Sequence, residues 1–150
     1  MEIVVNEWLL DYLCPGSEKS EKELAIKFIN AWEQGCDKVV IRRPSRFLEK
    51  FYQYWQRFGR DIDIKKRFRK LELLFYDSDK TIIADDTDVK KLPEGLEAKT
   101  PLDDKYLIEL AYSKQDRVIV TTDVRLKDNL QDETNLKIYL LQEFLQNYSA

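Results

Sequence analysis

The chain contains no histidine. That absence excludes a Ser-His-Asp or Cys-His nucleophile, a histidine acid/base pair for cleaving RNA, and any histidine-containing zinc site. Glycine is nearly as scarce: Gly16, Gly35, Gly59 and Gly95 are the only four, and they are widely scattered. Neither a G-x-G-x-x-G turn nor a P-loop can be built from them, which excludes a nucleotide-fuelled enzyme of the usual glycine-loop kind. The two cysteines, Cys14 and Cys36, form no C-x-x-C pair; they read as buried, reduced thiols of a cytoplasmic protein. Long apolar runs are also missing. Residues 1–10 have no basic leader and are interrupted by Asn6 and Glu7, and no stretch approaches the roughly 18 apolar residues of a membrane span.

What is present describes one domain spanning 1–150. A chain of 150 residues is long enough for a single core, since folding at that size buries about 70% of the unfolded surface. Apolar residues make up 43% and charged residues 35%, a globular rather than a disordered composition. Five short runs rich in Ile, Val or aromatics, at 3–5, 38–41, 81–84, 118–120 and 137–140, predict strands. The first and fourth are continuously apolar, as in strands covered on both faces of a parallel sheet. Helical patterns lie between them. Ser20 and Glu23 fit a capping box, followed by Leu24, Phe28 and Trp32, with Gly35 as a stop. Phe47, Phe51, Trp55 and Phe58 form a second stripe, and Ile64, Phe68, Leu71 and Phe75 a third. A fourth helix, carrying Leu107, Ile108 and Ala111, opens near Asp103 and Asp104, and a last one spans 142–148. The longest irregular stretch is 85–102, with Pro93, Gly95 and Pro101. The alternation predicts a three-layer α/β/α sandwich around a mainly parallel sheet of about five strands. In such sheets functional groups gather beyond the carboxyl ends of the strands. Asn6, Glu7, Arg42, Arg43, Asp85, Asp86 and Asp123 all occupy such positions.

The charge is segregated. Residues 42–70 hold eleven basic side chains against Glu49, Asp61 and Asp63, a net of +8; the rest carries -11 to reach the overall -3. Aromatics are interleaved with the basic residues, and of these Tyr52 and Tyr54 are expected to face outward. Lys and Arg neutralise phosphates and exposed rings stack on unpaired bases, so the segment reads as a nucleic-acid grip formed by Arg42, Arg43, Arg46, Lys50, Arg57, Lys65, Lys66 and Arg67. A solvated helix face over an aromatic core is the plain structural alternative.

Without histidine or a phosphate loop, carboxylates are the candidates for chemistry, and with Mg²⁺ or Mn²⁺ they suffice to hydrolyse a phosphodiester. Here the order of residues becomes recognisable. Asp104 opens a helix with Ala111 seven positions later, an apolar strand follows and ends in Val120-Thr121-Thr122-Asp123, and Leu126 lies just beyond. Upstream come Ile3-Val4-Val5-Asn6 and Ser45-Arg46-Phe47-Leu48-Glu49. In order and spacing this resembles the PIN-domain family of ribonucleases along nearly the whole chain. The resemblance implies a divalent-metal-dependent endoribonuclease cutting single-stranded RNA, with Asp104, Asp123, Glu49 and Asn6 as catalytic and metal-binding residues. Many prokaryotic members are toxins held by a small antitoxin protein, and homodimers are common, so both partners are expectations. Asn6 departs from the family, which has aspartate there: an amide oxygen still coordinates a hard cation, with one negative charge fewer. That departure recommends the alternative of a catalytically weakened PIN-like module that binds RNA or protein.

Each candidate also has a structural role open to it. Asp123 suits an N-cap, Asp104 suits the first turn of a helix, Glu49 suits a surface pair with Arg46 or Lys50, and Asn6 suits a turn. Asp103 rivals Asp104, and Glu7 is one position from Asn6. A phospho-accepting receiver-like domain shares the layering but requires an acidic pair after the first strand, where Asn6-Glu7 supplies one acid.

Overall fold

In the computed structural model, which describes residues 1–148, the five apolar runs form one sheet. Its strands are β1 (Glu2–Val5), β2 (Lys38–Arg42), β3 (Thr81–Ala84), β4 (Val118–Thr121) and β5 (Lys137–Leu140). They lie in the order β3-β2-β1-β4-β5, and every neighbouring pair is parallel. Successive side chains of a strand point to opposite faces, so one strand feeds two cores. Ile3 and Val5 join Val39, Ile41, Val118 and Val120 on one face, while Val4 joins Val40, Ala84 and Ile119 on the other. Both faces are covered, which is why the strands read as unbroken apolar runs.

The helices are α1 (Trp8–Asp11), α2 (Lys19–Gln34), α3 (Arg46–Phe58), α4 (Ile62–Tyr76), α5 (Glu94–Lys99), α6 (Lys105–Tyr112), α7 (Val124–Asn129) and α8 (Leu141–Tyr148). Trp8, Phe28, Phe51, Phe68 and Phe144 carry α1, α2, α3, α4 and α8 onto the first face. Leu96, Ile108 and Leu126 carry α5, α6 and α7 onto the second. The sheet therefore sits between two helical layers, as the alternation of patterns predicts. The first layer is unusually aromatic: Phe51 stacks on Phe68 with centroids 5.6 Å apart and meets Phe75 edge-on at 5.1 Å.

Several local expectations shift. The capping box of α2 is formed by Glu18 and Glu21, two residues before Ser20 and Glu23, because the helix begins at Lys19. Gly35 does end α2, but at φ −86, without a left-handed turn. Its glycine is explained instead by close approach: a Cβ there would run into the Tyr148 hydroxyl of α8 and the Ala31 carbonyl. The stretch 85–102 contains the 3₁₀ turn Asp86–Asp88 and the short helix α5, and runs into a second 3₁₀ turn, Leu102–Asp104. Both cysteines are free thiols; Cys14 is buried, but Cys36 is exposed. Among the described residues no helix is long and apolar enough to cross a membrane.

The strand order fixes where a site can form. From β1 the chain steps outward through β2 to β3, then returns to the other side of β1 to lay down β4 and β5. After β1 it turns to α1 on the first face, and after β4 to α7 on the second. Loops leaving adjacent strands in opposite directions open a crevice between them, at the switch point of the sheet.

Candidate functional site

That crevice is present, with a volume of about 240 Å³, between the ends of β1 and β4. Thr121, fully buried at the end of β4, ties the two strands together. Its Oγ1 accepts from the Asn6 amide nitrogen at 3.1 Å and from the backbone N–H of Asp123 at 3.1 Å. Trp8 fills the divergence of the two loops, its indole N–H donating to the Val120 carbonyl at 2.9 Å. Asn6, Glu7 and Asp11 from the β1 side, Asp103 and Asp104 from the turn before α6, and Arg46 from α3 line the opening.

The two acids expected from the C-terminal half differ in what their carboxylates do. Asp123 is the N-cap of α7: its Oδ1 accepts from the backbone N–H groups of Arg125 at 3.0 Å and Leu126 at 3.2 Å. The capping role and a place beside the crevice coexist, since only one of its oxygens is used. Asp104 stands at the N-cap position of α6 without making a side-chain capping bond. Burial raises its carboxyl above the usual range, and the charges of Asp123 and Asp103 raise it further, with Arg46 opposing them. The structure thus brings Asn6, Asp104 and Asp123 to one place. Asp103 is near but exposed.

Helix α3 contributes cations rather than an acid. Arg46 and Lys50 are four residues apart and share one side of the helix, whereas Glu49, about 100° around the helix from Lys50, does not line the crevice. Lys50 Nζ lies 3.1 Å from Glu7 and 2.9 Å from Asp11, and Arg46 is 3.7 Å from Glu7. Burial pulls the Lys50 ammonium down, yet its hydrogen bonds to Asp11 and Glu7 prevail and hold it well above its ordinary value. The Tyr54 hydroxyl completes this group by donating to Asp11 at 2.8 Å. Glu49 lines a different hollow, beside Tyr52 and Glu72.

The basic residues separate in the same way. Arg42 is committed to Asp86 at 3.0 Å and Glu109 at 3.8 Å. Arg43 and Arg46 are exposed on the loop and first turn beside the openings. Arg57 lies over the Phe58 ring, and Lys65, Lys66 and Arg67 stand on α4 without lining the crevice. Two site residues escape sequence reasoning. Asp11 is four residues beyond Glu7, a spacing that signals a shared helical side only once α1 is known. Tyr106 sits in the crevice wall, where burial pushes its phenol up to about 12 with help from Glu7.

A divalent cation is testable against this arrangement. Among the described residues no three carboxylate or thiol groups converge closely enough to hold a metal ion by themselves. Mg²⁺, however, takes only one or two carboxylates and keeps several waters. Asn6 Oδ1 is buried and has no hydrogen-bond partner. It is an acceptor beside carboxylates that are themselves acceptors when ionised, so a donor turned into the crevice, such as Arg46, or a bound cation is what would satisfy it. Asp104, Asp123 and Asn6 fit a hydrated divalent cation. No protein-family model, curated protein or solved structure matches the chain.

Proposed function

We propose that the crevice is the active site of a Mg²⁺- or Mn²⁺-dependent endoribonuclease acting on single-stranded RNA. The observation that carries this reading is the unpartnered, buried Asn6 Oδ1 beside Asp104 and Asp123. Those three residues would hold the cation, with waters completing its shell. A cation bound there supplies positive charge to the scissile phosphate and acidifies the attacking water. The chain's own part is then definable. Asp104 would offer one carboxylate oxygen to the cation and leave the other to accept the proton of an attacking water. Asp123 is fixed by its capping bonds, so the oxygen left over is presented rigidly. Arg46, with 61% of its side chain exposed, exchanges its long contact with Glu7 for a phosphate oxygen.

Labelled single-stranded RNA incubated with Mn²⁺ tests the reading. Cleavage is expected to vanish in EDTA and to fall by about a hundredfold in Asp104→Asn and in Asp123→Asn. Cleavage unchanged in Asp123→Asn removes that residue from the site; no cleavage with either metal overturns the activity.

One observation favours a second reading. With no three carboxylates converging and one Asp123 oxygen committed to capping, the crevice also suits a PIN-like binding module with little catalysis. That reading expects RNA or protein binding that survives both EDTA and Asp104→Asn.

A further inference from the structure

Outside the crevice, an aromatic-lined hollow of about 270 Å³ lies between α3, α4 and the ends of β2 and β3. Its floor is apolar, made by Leu48, Phe51, Phe75 and Ile83, and two tyrosines border it. Tyr52 and Tyr76 are 56% and 76% exposed, in a layer where most other rings are buried. The neighbouring Tyr76 hydroxyl helps to raise the Tyr52 phenol above its ordinary value. Three charged residues complete the lining: Arg43, Glu49 and Glu72. None of the three side chains makes an ion pair or hydrogen bond among the described residues.

The hollow and the crevice flank a common depression. A shallow depression of about 340 Å³ lies between them, sharing Pro44 and Ser45 with the hollow and Arg46, Asp103 and Tyr106 with the crevice. Arg43 and Arg46 therefore stand at the two ends of one track along the loop joining β2 to α3. Arg43 makes no ion pair among the described residues and Arg46 only a long one, 3.7 Å from Glu7, so both can meet phosphates more readily than Arg42 and Lys50.

We propose that this hollow receives one unpaired base, guanine, of an RNA strand whose backbone passes Arg43 and Arg46 toward the crevice. Rings at the mouth offer stacking faces of the kind that hold single-stranded bases. The volume suits a single base rather than a larger ligand, for which pockets run to about 300–1,000 Å³. The choice of guanine follows from the polar groups. Glu49 and Glu72 only accept hydrogen bonds. Guanine places two donors, N1–H and the N2 amino group, side by side, which a carboxylate takes in bidentate fashion. Adenine and cytosine pair one amino donor with an acceptor nitrogen that a carboxylate repels, and uracil sets its one N–H between two carbonyls. The proposal rests on the ribonuclease reading for the identity of the polymer, but it concerns recognition rather than cleavage.

The test uses the full chain in EDTA, so that binding is measured without cleavage. Fluorescence anisotropy compares labelled oligouridine strands that carry a single guanosine, adenosine or cytidine with the all-uridine strand. The guanosine strand is expected to bind about tenfold tighter. Tyr52→Ala with Tyr76→Ala abolishes that advantage, while Tyr52→Phe with Tyr76→Phe keeps most of it. Glu49→Gln with Glu72→Gln flattens the preference without removing binding. Circular dichroism melts verify that each variant is folded. Equal affinity for all four strands, or an advantage that survives in the double alanine variant, overturns the proposal. So does a concentration-dependent dimer lost in that variant, which assigns the hollow to a second copy of the chain. Cleavage with Mn²⁺ by a chain that binds all four strands equally leaves the ribonuclease reading standing and removes this one; guanine-selective binding without cleavage does the reverse.

Discussion

Asn6 and Asp104 make opposite electrostatic demands on the crevice, and each can be probed by one atom exchange. Asn6→Asp adds a charge next to Asp104 and Asp123. Without metal it is expected to lower the melting temperature, because like charges are brought together. With Mn²⁺ the order reverses: an added carboxylate tightens binding by about tenfold, so saturating metal raises the melting temperature more than in the wild type. An equal metal-induced rise in both proteins places Asn6 outside the cation's reach. Asp104 carries the complementary prediction. Its carboxyl is raised in the folded chain by burial and by Asp123. Its contribution to stability is thus complete below the unfolded value and is lost as pH rises through the folded one. Ionised Asp104 opposes folding at neutral pH, and Asp104→Asn in EDTA is expected to melt higher than wild type at pH 7. The difference should close as the medium becomes acid enough to protonate the wild type. A variant less stable at pH 7 contradicts the strained-carboxylate picture. The sequence makes Asp104 and Asp123 legible because each position follows from a strand end or a helix start. Whether Glu49 reaches the crevice depends on the rotation of α3, and whether Glu7 does depends on the turn from β1 into α1, neither of which a residue's type reveals.

At the scale of elements, the aromatic stripes carry the first layer and also shape the hollow. Phe51 is 1% exposed, stacked on Phe68 and packed edge-on against Phe75. Phe51→Ala is expected to cost about 3–5 kcal/mol, since the rings around it are held by separate helices and cannot collapse into the gap. Urea unfolding monitored by circular dichroism measures it; a loss below about 1 kcal/mol would show that α3 and α4 repack freely. The strands and the four principal helical patterns were legible for related reasons: burial on both faces leaves uninterrupted Val and Ile, and burial on one side leaves the 3.6-residue period. Helices α1, α5 and α7 were not, because four, six and six residues are too few to display a period. The displaced capping box has a similar cause. Glu18, Ser20, Glu21 and Glu23 offer two overlapping boxes, and the choice between them rests on where the helix axis meets the sheet.

Across the whole molecule, the segregated charge proves to be several structures rather than one. Of the eight basic residues expected to grip RNA, Arg42 and Lys50 neutralise carboxylates of the fold. Arg57 covers Phe58, and Lys65, Lys66 and Arg67 occupy α4 away from the crevice lining. Composition measures how much charge is present, but pairing decides how much of it can displace counterions from a strand. The salt dependence of RNA binding in EDTA separates these quantities, because the logarithm of affinity falls with the logarithm of salt by about 0.7 per phosphate neutralised on a single strand. If Arg43 and Arg46 form the track, the slope is about −1.4. Arg46→Ala is then expected to reduce its magnitude by about 0.7, while Lys65→Ala with Lys66→Ala leaves it unchanged. If all eight basic residues contact phosphates, the slope approaches about −5.6 and the α4 variant flattens it as strongly as the loop variants do. A steep slope would move the strand onto the outer face of α3 and α4 and detach it from the acidic crevice; a shallow one sensitive to Arg46 keeps the polyanion on the path between the base hollow and the carboxylates.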